Sequence, residues 1–114
     1  MAFDKDLTRS MAEPVVLSLV SERAMYGYEI VATVKAETDG VLEWKAGSLY
    51  PSLHKLENEG LVSAEWEGET GTRRRKYYHL TDAGRAALDE KNESWRQVSQ
   101  AVNQILENSD ERDE

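Results

Sequence analysis

The hydrophobic period of this chain changes twice, and the order of those changes restricts its fold more than any other feature. Up to Gly60 the apolar residues recur at helical spacing. From Val62 they alternate with polar ones, and from Thr81 the helical spacing returns. A chain that reads helix, then strand, then helix is mainly α with one small antiparallel β-hairpin, an α+β class.

The helical parts have legible ends. Phe3, Leu7, Met11 and Val15 step by four, and Pro14 either kinks one helix or opens a second in its first turn. The run VVLSLV is compatible with a strand on its own, but the stripe before it favours helix. Ile30, Val31 and Val34 share one face of a helix expected over 27–38, closed by Gly40. A third helix is expected after Gly47-Ser48, with Pro51 in its first turn, Leu49, Leu53 and Leu56 inward, and Gly60 as a left-handed stop. Tyr50, Ser52, His54, Lys55 and Asn58 fall on its other face.

Val62, Ala64 and Trp66 alternate with Ser63, Glu65 and Glu67, and after the turn-forming GETGT comes RRRKYYHL, rich in strand-forming aromatics. Four consecutive cations, Arg73 to Lys76, therefore lie at the hairpin tip and its descending arm, with little apolar company. Thr81 is a good N-cap, with Asp82 in the first turn. Gly84, a poor helix residue, marks the close approach of another backbone. Leu88, Trp95, Val98, Val102, Ile105 and Leu106 then form a stripe suited to a helix of about 25 residues with a seam near the 3.5 repeat. A lone helix cannot bury that stripe on a domain already closed. Leu88, Trp95, Val98, Val102 and Ile105 are thus expected to form a homodimer interface. The expected layout is a helix-and-hairpin domain over 1–80, a dimerisation helix over 81–108 and a disordered acidic tail over 109–114.

Composition removes several function classes. The chain has 114 residues, no cysteine and two histidines, His54 and His79. Thiolate chemistry is impossible and His-rich metal chemistry is not expected, nor is a cofactor. No apolar run approaches the roughly 20 residues of a membrane span, and MAFDKDLTRS lacks the basic start and apolar middle of a signal peptide. A cytoplasmic protein without membrane contact is expected. No nucleophile stands with a base, and GETGT lacks the Lys-Ser/Thr of a phosphate loop, so an enzyme is not expected.

The formal net charge of −8 speaks, at first count, against a nucleic-acid partner. Its distribution reverses that. Residues 81–114 hold nine acids and four bases, while the cations concentrate at 73–76. Three short helices followed by a basic hairpin is the order of a winged helix-turn-helix, whose third helix enters a major groove while the wing meets phosphates. On that reading Ser48, Tyr50, Ser52, His54 and Lys55 face double-stranded DNA, and Arg73, Arg74 and Lys76 hold its backbone. Each has a plainer alternative: Tyr50 as packing at a helix start, Lys55 and His54 as solvated surface. Tyr77 and Tyr78 read as packing residues, and Trp44 and Trp66 as core or wing-base packing. Glu57 and Glu59 would repel phosphate, so they are expected at the far end of the third helix or paired with neighbours. Two-fold symmetry would set two reading helices about 34 Å apart, or a small multiple of that, on a palindromic operator. A second class of reading is a protein-interaction module that uses the same scaffold and its acidic exterior without DNA.

Three ordered motifs carry a family resemblance: YGYEI at 26–30, GSLYPSLHKLENEGLV at 47–62 and RRKYYHLTDAGR at 74–85. Together, from about Val15 to Leu88, they resemble the PadR family of transcriptional regulators. The short segment after Leu88 resembles the compact subgroup, with one C-terminal helix. The resemblance implies a homodimeric winged-helix repressor held by its C-terminal helices, with aromatic small molecules sensed by some members, and it places Tyr50 near the DNA backbone. Glu93-Ser94-Trp95-Arg96-Gln97-Val98 is similar to the C-terminal helix of the multidrug-sensing repressor of lactic acid bacteria, which implies a ligand-sandwiching role for Trp95 at the dimer centre. Trp95 as simple dimer core is the alternative.

Overall fold

The computed structural model describes residues 4–68 and 74–108. Among the described residues there are five helices and a three-stranded sheet, in the order α1 (Lys5–Ser10), α2 (Ala12–Glu22), β1 (Met25–Tyr26), α3 (Gly27–Glu37), α4 (Ala46–Asn58), β2 (Val62–Glu67), β3 (Arg75–Leu80) and α5 (Asp82–Glu107). Arg73, Phe3 and the acidic segment 109–114 lie outside the described residues.

The amino end follows the second alternative for Pro14. Asp4 caps α1, its carboxylate accepting from the amides of Asp6 and Leu7 at 2.9 and 3.0 Å. The chain then turns at Met11 and starts again, with Pro14 third in α2. An N–H there has no acceptor within the helix, and the first intrahelical donor is the next residue, Val15, to the Met11 carbonyl at 3.1 Å.

Helix α4 starts earlier than its glycine suggested. It opens on the Lys45 carbonyl, which accepts from Ser48 and Leu49, so Gly47 and Ser48 are inside it and Pro51 stands in its second turn. Pro51 removes one main-chain bond, but both it and Gly47 are exposed, so the freed carbonyl is open to water. Leu49, Leu53 and Leu56 are buried as the spacing required. Gly60, with φ of 76°, ends the helix with paired bonds, Leu61 N to Leu56 O at 2.9 Å and Gly60 N to Glu57 O at 3.0 Å.

The hairpin is in register from Val62 opposite Leu80 to Glu67 opposite Arg75. A third strand, absent from the sequence expectation, lies on its other side. Met25 pairs with Tyr78 and Tyr26 with Tyr77, giving the order β1-β3-β2. Two residues are too few to show a period, so only the pairing reveals them. Val62 and Tyr78 put the inner face of the sheet against a core that also holds Val16 and Leu17 of α2, Ile30 and Val34 of α3, and the three leucines of α4.

Thr81 joins wing to long helix. Its hydroxyl donates to the Gly60 carbonyl at 2.6 Å and accepts from the Gly84 amide at 3.0 Å, while its own amide reaches the Leu61 carbonyl at 3.2 Å. The contact at Gly84 is as close as its composition suggested: a Cβ there would lie 2.0 Å from the Leu61 carbonyl oxygen.

One interface expectation needs correction. Leu88 is 5% exposed and belongs to the core of its own protomer, because the first turns of α5 lie against that core. Among the described residues of α5, nothing beyond Leu88 is buried. Trp95, Val98, Val102, Ile105 and Leu106 are all about half exposed or more, on an arm that extends the molecule to 68 Å.

Candidate nucleic-acid interface

Helix α4 is held from behind by its three leucines, and its outer ridge carries Gly47, Pro51, His54 and Asn58, all exposed. The expected reading residues divide between two flanks of this ridge. Tyr50 and His54 turn toward the wing, while Ser48 and Ser52 line the opposite side, beside α1. The reason is angular: at about 100° per residue, 50 and 54 lie near each other, while 48, 52 and 55 lie across the helix.

On the wing side, Tyr50 and His54 face Tyr26, Tyr28, Trp66, Arg74 and Arg75 across an open cleft of about 740 Å³. The three described cations of the basic run each sit over a ring, contrary to the expectation of little apolar company. Arg74 stands 6.0 Å from the ring centre of Trp66, Arg75 4.6 Å from Tyr26, and the Lys76 ammonium 5.6 Å from Tyr78. Planar guanidinium groups laid on aromatic faces are pre-oriented yet keep donors free for phosphate. Trp66 is 59% exposed, which corrects the expectation of packing at the wing base. Trp44 does pack against the core. Tyr78 is buried, and Tyr77 meets Tyr26 edge-on at 5.4 Å, so both tyrosines pack as expected.

Lys76 differs from its neighbours. Its ammonium donates to Glu57 Oε1 at 3.1 Å, tying β3 to the last turn of α4. The Glu57 hydrogen bond holds the Lys76 pKa above its usual value, against a smaller opposing effect of burial. Burial in turn raises the Tyr78 phenol, the Lys76 charge opposing it. Lys55 is similarly engaged, at 3.0 Å from Glu13 of α2 and 3.9 Å from Glu59. The hydrogen bond to Glu13 and the two carboxylate charges raise its pKa. Glu57 and Glu59 are thus both paired with a neighbouring lysine.

On the other flank, Ser48 and Ser52 share a groove of about 250 Å³ with Lys5, Arg9 and Lys45. These three cations were not singled out from sequence, and neither was Arg75. Lys5, Arg9 and Lys45 are isolated in the chain, and only the packing of α1 beside the start of α4 gathers them. Arg75 was legible as part of the basic run. The exposed ridge of α4 therefore lies between two cationic borders. This is a geometry for a strand pair whose phosphates flank a groove.

Comparison with known proteins agrees with this architecture. The sequence model of the transcriptional regulator PadR-like family matches residues 16–90. A transcriptional regulator from Clostridium thermocellum superposes with a TM-score of 0.82 at 30% identity, over 91% of this chain and 98% of that one. The negative transcriptional regulator PadR of Bacillus subtilis is 30% identical over 73 residues, 64% of this chain and 40% of the relative. The structure of Bacillus subtilis PadR in complex with operator DNA superposes with a TM-score of 0.62 at 28% identity, over 68% of this chain and 44% of that one. With helices α2 to α4 packed on a wing, a long C-terminal helix α5, and a family match across two thirds of its length, this chain belongs to the PadR-like family of transcriptional regulators.

Proposed function

We propose that this regulator is a sequence-specific, homodimeric repressor that binds a palindromic operator and is released by a planar aromatic ligand. The observation that carries the DNA half is the pair of cationic borders around the α4 ridge, on a chain whose net charge is −8. Arg74 and Arg75 hold phosphates from the wing, and Lys5, Arg9 and Lys45 from the other flank. His54 and Asn58 face base edges, with Tyr50, Ser48 and Ser52 beside them. Lys55 and Lys76 act first as ion-pair partners within the protein. Arg73, outside the described residues, is assigned to the wing contacts by its place in the basic run.

The experiment is a mobility shift on the DNA upstream of the regulator's own gene. Each phosphate contact should contribute about −0.9 to the slope of log K against log salt. Arg74→Ala and Arg75→Ala are expected to weaken binding on all duplexes alike and to flatten that slope. His54→Ala should instead lower the preference for operator over unrelated DNA. No binding at low salt, or unchanged binding by the double arginine variant, would overturn the reading in favour of a protein-interaction module.

The dimer rests on the α5 arm. Trp95, Val98, Val102 and Ile105 step by three, four and three, a two-stranded seam, and are 51%, 56%, 47% and 53% exposed. Covering the remainder yields roughly 1 kcal/mol apiece. Trp95 stands at the inner end of this seam, where a symmetry-related indole gives a planar ligand two faces. Because Trp66 is also exposed, the sensing test uses a Trp66→Phe background. Planar aromatic compounds should quench the remaining fluorescence, and Trp95→Ala should abolish the quenching while the dimer persists. Retained quenching would leave Trp44 as the reporter and remove the pocket from the seam.

A further inference from the structure

The outer face of the wing, turned away from the core, carries a cluster that DNA binding does not use. Ser63, Glu65 and Glu67 of β2 share that face with His79, Tyr77 and Arg75 of β3, in cross-strand register. One carboxylate oxygen from each glutamate and one imidazole nitrogen of His79 lie within 4.8 Å of one another. The cluster is not carboxylates alone. His79 Nε2 is shielded from solvent and makes no hydrogen bond, with Glu65 Oε2 at 3.8 Å. The cation that strand register sets opposite Glu67 is turned elsewhere, since the Arg75 guanidinium lies on the Tyr26 ring. Among the described residues no ion pair engages Glu67.

We infer that Glu65, Glu67 and His79 form a binding site for a divalent transition metal of the zinc type, built on the wing. Two carboxylates and one imidazole are a borderline donor set, which suits zinc better than the all-oxygen preference of magnesium or calcium. Ligand atoms about 2.1 Å from a tetrahedral ion stand about 3.4 Å apart, so exposed glutamates need only small rotations to close on it. The orphaned Nε2 supplies the fixed ligand and the carboxylates the mobile ones. A bound dication would cancel two negative charges on the wing that carries Arg74 and Arg75, and so strengthen operator binding. That coupling rests on the DNA reading above, whereas the metal site does not.

The test is calorimetric titration of tag-free protein with Zn²⁺. Wild type should take one ion per chain. Glu65→Gln, Glu67→Gln and His79→Gln should each weaken binding tenfold or more, and Glu90→Gln, on α5, should leave it unchanged. The His79 ring signals should shift in NMR spectra as the ion binds. Circular dichroism checks that each variant is folded. Equal affinity in wild type and the three variants, or loss with His54→Gln in place of His79→Gln, would overturn the site. In mobility shifts, one equivalent of Zn²⁺ should tighten operator binding in wild type and not in His79→Gln. Metal binding without that gain would overturn the coupling alone. Absence of any DNA binding would refute the DNA reading and leave the calorimetry to decide the metal site.

Discussion

Gly84 is the residue on which the joint between wing and long helix depends. Its missing Cβ leaves room for the Leu61 carbonyl, which also accepts from Thr81, so the end of α4, the start of β2 and the first turn of α5 meet at one point. A side chain there would also lie 2.7 Å from a Leu80 methyl. Backbone, unlike a flexible side chain, cannot step aside. Gly84→Ala is therefore expected to destabilise the protein at or above the upper end of the about 1–3 kcal/mol typical of overpacking. Its greater helix propensity would recover about 1 kcal/mol at most. Urea unfolding followed by circular dichroism measures this, and an unchanged midpoint would mean that α5 can shift without loss. The residue type was informative from sequence because glycine inside a strong helix needs a reason. Its neighbour was not, because Leu61 and Gly84 come together only through the hairpin.

At the scale of elements, the wing is pinned to α4 by a polar strut as well as by the core. Lys76 links β3 to Glu57 while its charge also faces the Tyr78 ring, and Tyr78 itself is buried. Both titratable groups hold their protons more tightly in the folded chain than at their ordinary values of 10.5 for lysine and 10.0 for tyrosine. Their contribution to stability is thus fully present below pH 10.0 and is lost as pH rises through the folded values. A plot of unfolding free energy against pH should show no slope from these groups through neutrality and a fall in the alkaline range. That fall should shrink in Tyr78→Phe. An alkaline limb of the same depth in that variant would assign the loss to other groups. Runs of period two located β2 and β3, and the cap and turn residues located their ends. The strut was not legible, because Glu57 and Lys76 are far apart in sequence and each reads alone as surface charge.

For the whole molecule, the division of α5 matters most. Its first turns complete the core through Leu88, and the rest carries an apolar seam outward. Val98→Asp places a charge in the middle of that seam at a position 56% exposed in the protomer. The variant should keep the winged domain folded and sediment as a monomer, with a weaker hold on a two-site operator, since one reading helix then binds alone. Sedimentation of wild type and variant at the same mass would refute a dimer built on this seam. Five of the nine acids of residues 81–114, Asp82, Asp89, Glu90, Glu93 and Glu107, stand on this helix.

Local chemistry determined the parts of this protein that depend on near neighbours in the chain. These are the order of helices, hairpin and long helix, the leucine face of α4, the Thr81 cap, the helix stop at Gly60 and the basic wing. All arise from periods of two or 3.6 residues, or from caps within a few positions, so the sequence displays them directly. Tertiary packing decided the rest. It paired β1 with β3, drew Leu88 into its own core, exposed Trp66, and set each described wing cation over a ring. It also gathered Lys5, Arg9 and Lys45 beside α4 and brought His79 to Glu65 and Glu67. Each of these needs two or more segments to meet, and single charges or rings spaced along a chain carry no local pattern that announces where they will converge.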